Sequence, residues 1–150
     1  MTTEPDEILL RQKIQEFVRA FGLLRNQTPC GKPISISMAH ALMHLRGASE
    51  KGPVSQSTLQ KSLSLDKSNV TRLCMALEED GFVIQRPSKE DGRVRVVSLT
   101  AKGERLADSL LNASQKRFGE ILTRIPKSKH AQVFHALDTL THAIHEANFP

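Results

Sequence analysis

The sequence predicts a mainly α chain that carries one small β-hairpin. Three observations predict it. Apolar residues recur at helical period along most of the 150 residues, with a cap or a turn between successive runs. Only between Phe82 and Thr100 does the pattern change, to Phe82-Val83-Ile84-Gln85-Arg86 and then to Val94, Val96 and Val97, which have strand propensity. Between these two runs stands Asp91-Gly92, a pair that favours a hairpin reversal.

Taken in order, residues 8–24 set Ile8, Ile14, Phe17, Val18, Phe21 and Leu24 on one helical stripe, and Gln27-Thr28-Pro29-Cys30-Gly31 is a turn by composition. A second helix follows, capped by Ser35, with Met38, Ala41, Leu42 and Leu45 inward. Ser55 can cap Gln56 to Leu63, and Asp66 can cap Lys67 to Glu79, so two short helices are joined by a brief turn. In the second of these, Val70, Leu73, Cys74 and Leu77 fall at i, i+3, i+4 and i+7 and share a buried face. Ser68, Thr71, Arg72 and Met75 lie on or near the opposite one. Gly81 sits where a left-handed cap would end that helix. After Thr100 the helical period returns through Leu106, Leu110, Leu111, Phe118, Ile121, Leu122 and Ile125, until Pro126 stops it. A last helix, from about Ser128, carries Val133, Phe134, Leu137, Leu140 and Ile144.

Helix, turn, helix, strand, charged turn, strand is the winged helix-turn-helix plan, and the motifs make the resemblance specific. Asp91-x-Arg93 is followed by Val97-x-Leu99-Thr100-x-x-Gly103. Upstream stand Asp66-Lys67-Ser68-Asn69-Val70-Thr71-Arg72-Leu73 and Leu77-Glu78-Glu79-Asp80-Gly81-Phe82-Val83. On these blocks the chain resembles the MarR family of bacterial transcriptional regulators. The resemblance implies one domain over 1–150: a DNA-binding winged helix-turn-helix at 34–101, with dimerisation helices at 1–33 and 102–150. It implies sequence-specific binding of double-stranded DNA by an effector-responsive repressor. The apolar terminal helices point the same way, being more than one small winged core needs to cover itself. A two-fold homodimer sets two reading helices about one DNA turn apart and so implies a pseudo-palindromic site.

Bulk properties agree. With 39% hydrophobic residues the chain can bury a single core. No apolar run approaches the ~20 residues that span a bilayer, and the acidic opening Met1 to Glu7 is unlike a signal peptide, so a cytoplasmic protein with no membrane partner is expected. Cys30 and Cys74 lack metal-finger spacing and are too few for a disulfide framework. The net charge of +5 suits an anionic partner, but residues 34–101 hold nine Lys/Arg against seven Asp/Glu, so position matters more than total.

In the reading helix, Arg72 has the chemistry to pair with guanine and Asn69 with adenine, each bidentately. Ser68 and Thr71 suit bases or phosphates, and Lys67, at the helix start, suits phosphate. Ser55, Gln56 and Ser57 open the preceding helix, whose free N–H groups suit a phosphate oxygen. The resemblance gives Arg93 the wing-tip role in the minor groove, with Asp91 orienting its guanidinium; Lys89 and Arg95 then steer toward phosphate. The competing structural reading is a solvated helix face and a surface ion pair that stiffens a turn.

Other chemistries have weaker support. His40 and His44, at i and i+4, would need a third ligand to hold a metal, and solvated or capping roles are their ordinary account. Zinc-sensing relatives also use histidines of the long helix after the wing, and Lys102 to Ile125 has none, so no metal site and no cofactor are expected. Cys30, between Pro29 and Gly31 and near Lys32, is a candidate redox thiol, although the tyrosines that accompany such a cysteine in peroxide-sensing relatives are absent. No nucleophile elbow, phosphate-binding glycine loop or His-Glu metal motif suggests an enzyme. His130, His135, His142 and His145 stand on the last helix without a carboxylate-rich set. A winged helix turned to protein interaction would lack cations at the reading helix and wing, where Arg72 and Arg93 are present. Relatives commonly bind small aromatic anions between their dimer helices and reading domain, but with no Trp or Tyr the sequence assigns no such pocket.

Overall fold

A computed structural model describes residues 5–22 and 34–148. The chain divides into two compact units, Met1–Ser114 and Gln115–Pro150. Helix α1 (Asp6–Phe21) starts with two acids at its positive end and stops where Gly22 takes φ 79°. That left-handed residue ends the helix at Phe21; Leu24 and the turn expected at Gln27 to Gly31 lie outside the described residues. Helix α2 (Ile36–Ala48) is capped by Ser35, whose Oγ accepts from the Met38 N–H at 3.2 Å. The helix-turn-helix follows as α3 (Gln56–Leu63) and α4 (Lys67–Glu79), with Ser55 and Asp66 as caps and Gly81 left-handed at φ 77°.

The expected hairpin is present as β2 (Val83–Pro87) and β3 (Arg95–Leu99), paired from Val83 opposite Leu99 to Pro87 opposite Arg95. A third strand corrects the two-stranded expectation. Strand β1 (Val54–Ser55) pairs with the far edge of β3, giving the order β1-β3-β2. Two residues are too short to show any alternation, so nothing local distinguishes β1 from a loop.

Around this sheet Leu42, Leu59, Val70, Cys74, Leu77, Val83, Val97 and Leu110 form the fully buried centre of the core. Helix α5 (Ala101–Thr123) supplies Ala107 and Leu110 to it and is joined to the wing by a compact knot. Thr100 donates its N–H to the Phe82 carbonyl (3.0 Å) and its hydroxyl to the Gly81 carbonyl (2.6 Å), while its Oγ accepts from the Gly103 N–H (3.1 Å). Gly103 then packs so tightly that a Cβ there would lie 2.0 Å from the Phe82 oxygen. This is a physical reason for Leu99-Thr100-x-x-Gly103: a cap that reaches back across the strand, and a residue with no side chain. Arg46 makes a fork onto Asp108 (2.8 and 3.3 Å), with Glu104 at 3.7 Å, and so ties α2 to α5.

The second unit contains the end of α5, a 3-10 turn at Lys127–Lys129 after Pro126, and helix α6 (His130–Ala147). Helix α6 has no buried residue, and Phe134, Leu137 and Ile144 are exposed. Likewise α1 has no buried residue, and Phe17 stacks on Phe21 at 5.4 Å while remaining 51% exposed.

Candidate nucleic-acid interface

Helix α4 is held from behind by four apolar residues and from its start by one carboxylate. Val70, Leu73, Cys74 and Leu77 are buried, which leaves Lys67, Ser68, Asn69, Arg72 and Met75 exposed and Thr71 half-buried. Asp66 Oδ1 accepts from the Asn69 N–H at 2.7 Å, the usual geometry of an acidic cap. Its other oxygen accepts from Asn69 Nδ2 at 2.8 Å, and Asn69 Oδ1 accepts from Arg72 Nη2 at 2.9 Å. Both ends of the Asn69 amide thus already hold one partner, the Asp66 cap on one side and Arg72 on the other. Thr71 donates its hydroxyl to the Lys67 carbonyl (2.8 Å), which leaves only acceptor capacity toward an outside group.

At the start of α3 the three expected residues part company. Ser55 Oγ accepts from the Thr58 N–H (3.1 Å) and lies 3.0 Å from Thr58 Oγ1. The Gln56 amide donates to Gln85 Oε1 on β2, so its side chain is turned to the wing. Ser57 is exposed. Gln85 is fixed a second time, since its N–H donates to Glu78 Oε2 at 2.6 Å. Glu78 reads in sequence only as part of an acidic helix end; in the structure it clamps α4 to an edge strand of the wing. No sequence signal links residues seven apart across a turn in this way, and the Gln56–Gln85 pair is more distant still.

The wing tip is built from short polar contacts. Ser88 donates its N–H to the Val94 carbonyl (2.7 Å), and Val94 donates to the Asp91 carbonyl (2.9 Å). Arg93 gives Asp91 three bonds: its backbone N–H and Nε to Oδ1, both 3.1 Å, and Nη2 to Oδ2 at 3.3 Å. The Arg93 side chain, and next its backbone N–H, hold the Asp91 carboxyl below its ordinary pKa. Arg93 nevertheless remains 91% exposed along its side chain, so it is oriented without being covered. Lys89, Arg95 and Arg86 are also exposed on the wing.

The remaining candidates separate clearly. His44 Nε2 lies 3.5 Å from Ser62 Oγ, and among the described residues no three His, Cys, Asp or Glu side chains gather to accept a metal. Cys74 is wholly buried, and burial, aided by the Glu78 charge, pushes its thiol up to about 11. Cys30 lies outside the described residues. Among those residues no helix is long and apolar enough to cross a membrane. A cleft of about 340 Å³ lies among Leu45, Ser49, Val54, Val97, Leu99 and Glu104.

With this geometry established, known proteins show where it recurs. The MarR family profile matches residues 39–94. An uncharacterized HTH-type transcriptional regulator of Bacillus subtilis, YdgJ, is 35% identical over 72 residues, which cover 48% of this chain and 44% of that protein. The chain spans about half the length of the curated relatives it matches. Among solved structures, the MepR–DNA complex of S. aureus superposes with a TM-score of 0.74 at 16% identity, covering 95% of this chain and 99% of that one. A probable transcriptional regulator from Pseudomonas aeruginosa gives 0.69 at 23% identity, covering 89% and 95%. At these identities the structural likeness bears on the fold, and the matched segment contains α3, α4, β2 and the turn that carries Asp91 and Arg93. The fold is the winged helix-turn-helix, and residues 39–94 of this chain are similar to the MarR family of regulators.

Proposed function

We propose that the chain is a transcriptional regulator that binds double-stranded DNA sequence-specifically as a homodimer. The observation that carries this reading is the presence of two exposed arginines in one compact unit. Arg72 stands on α4 and Arg93 on the wing, and Glu78, Gln85 and Gln56 lock helix to strand. Arg72 reads a base edge, Lys67 and the exposed wing cations contact phosphate, and Arg93 enters the minor groove. The homodimer is supported by apolar side chains left exposed on α1 and on α6, each of which lacks a buried residue. Two copies would place their reading helices roughly 34 Å apart on a pseudo-palindromic site in the cytoplasm. Response to a small effector is the finer part of the proposal, with the cleft beside Glu104 as a place for it, and repression is the mode the family resemblance implies.

Selection of randomised duplexes by the purified chain tests the reading. Arg72→Ala should relax base preference at one position of each half-site, whereas Lys67→Ala should weaken all sequences about equally. An Arg72→Ala profile identical to that of the wild type would remove Arg72 from the reading role.

A further inference from the structure

We propose that Asn69 is a positioning residue, which sets Arg72 for its base and reads no base itself. The inference rests on the DNA-reading function proposed above. Three side chains one turn apart make a relay: Asp66 Oδ2 accepts from Asn69 Nδ2 at 2.8 Å, and Asn69 Oδ1 accepts from Arg72 Nη2 at 2.9 Å. The carboxylate fixes the sense of the amide. Reversed, Asn69 would turn its oxygen onto the Asp66 carboxylate and its N–H groups onto the Arg72 donors, so each neighbour selects the same orientation.

The arrangement fits a reading role for arginine and opposes one for asparagine. Bidentate pairing with adenine needs Oδ1 and Nδ2 together, and each already holds a partner, Arg72 and the Asp66 cap respectively, which fix the amide for Arg72. Arg72 spends one of its five N–H donors on Asn69 and keeps enough of its fork for the two acceptors of guanine. A long side chain free in solvent must lose its rotamer freedom when it meets a base; one already held loses less. Asp66 does two tasks with two oxygens, since Oδ1 caps α4 through the Asn69 N–H at 2.7 Å while Oδ2 orients the amide.

The test is duplex selection, followed by affinity measurements on the selected site and on single-base variants. It uses the full chain as wild type, Arg72→Ala, Asn69→Ala, the double variant and Asp66→Ser. Asn69→Ala retains the backbone cap, and circular dichroism checks that helicity is kept. It should cut preference by about three- to tenfold, the low end for a hydrogen bond to an exposed charged group, at the same base pair that Arg72→Ala alters. The double variant should match Arg72→Ala, because a positioning residue has nothing left to position. Asp66→Ser still caps the helix but has no second oxygen for Nδ2, so it should give a smaller loss at that same base pair. A changed preference at a different base pair would make Asn69 a reader and overturn the proposal, as would an unchanged profile. A wild type with no base preference anywhere would instead refute the DNA-reading function, and this inference with it.

Discussion

Gly103→Ala is the substitution whose outcome the structure fixes most closely, because two opposing effects have known sizes. Alanine is the better helix former, which favours the variant by about 1 kcal/mol inside α5. Against this, the new Cβ would lie 2.0 Å from the Phe82 oxygen, 2.9 Å from the Phe82 carbonyl carbon and 3.2 Å from a Leu99 methyl. Backbone must move, and overpacking of this kind costs roughly 1–3 kcal/mol. Moving Phe82 also strains the Thr100 bonds to the Phe82 and Gly81 carbonyls, with about 1 kcal/mol at stake in each. With at least one of those bonds lost, sterics win, and the net loss falls between about 1 and 4 kcal/mol. Urea unfolding at a fixed chain concentration measures it. Gly47→Ala in α2 is the control: a Cβ there meets nothing within 4 Å, so stability should stay within about 0.5 kcal/mol of wild type or rise. A Gly103→Ala protein as stable as wild type would refute the account of the Thr100–Gly103 knot.

Arg93→Ala should weaken binding without unfolding the protein, more on sites with A·T-rich flanks than on G·C-rich ones, as read by anisotropy on both; equal losses would make Arg93 an ordinary phosphate contact. Asp91→Ala should cost less affinity, since it removes the orienting partner and also a charge that repels phosphate. The Asp91 carboxyl should titrate below the ~3.9 of an ordinary aspartate, so the clasp is present above that value and is lost as pH falls through the lower one; a carboxyl-carbon NMR titration with an ordinary midpoint would contradict the clasp. In a Cys30→Ser background, Cys74 should resist a thiol reagent at pH 8 in the folded protein and react once urea unfolds it. Because the folded thiol is raised from 9.0 to about 11, its contribution to stability is complete below pH 9 and is lost as pH rises toward 11; rapid labelling of the native protein would refute this burial.

Much of the fold was legible because each element has a local signature. Ser35, Ser55 and Asp66 are capping residue types followed by apolar period, and each accepts the backbone bond that its position predicts. The wing was legible from its β-branched runs around Asp91-Gly92, and the Asp91–Arg93 contact spans only two residues. What escaped is non-local or too short. Strand β1 exists because Val54 and Ser55 meet the edge of β3 across more than forty residues. The Arg46–Asp108 fork and the Gln56–Gln85 bond likewise join segments that only the folded chain brings together. Asn69 was legible as polar and outward, but a side chain's partners within its own turn compete with any outside ligand, and the sequence pattern leaves that competition open.

The central claim, that α4 and the wing form one DNA-reading surface, is tested most directly by the salt dependence of affinity for a selected duplex and for its scrambled counterpart. If about six phosphates are neutralised, affinity for the selected duplex should fall on the order of 10³-fold between about 50 and 200 mM salt, and the scrambled duplex should bind more weakly throughout. Equal affinity for the two duplexes, or binding that salt leaves unchanged, would contradict it.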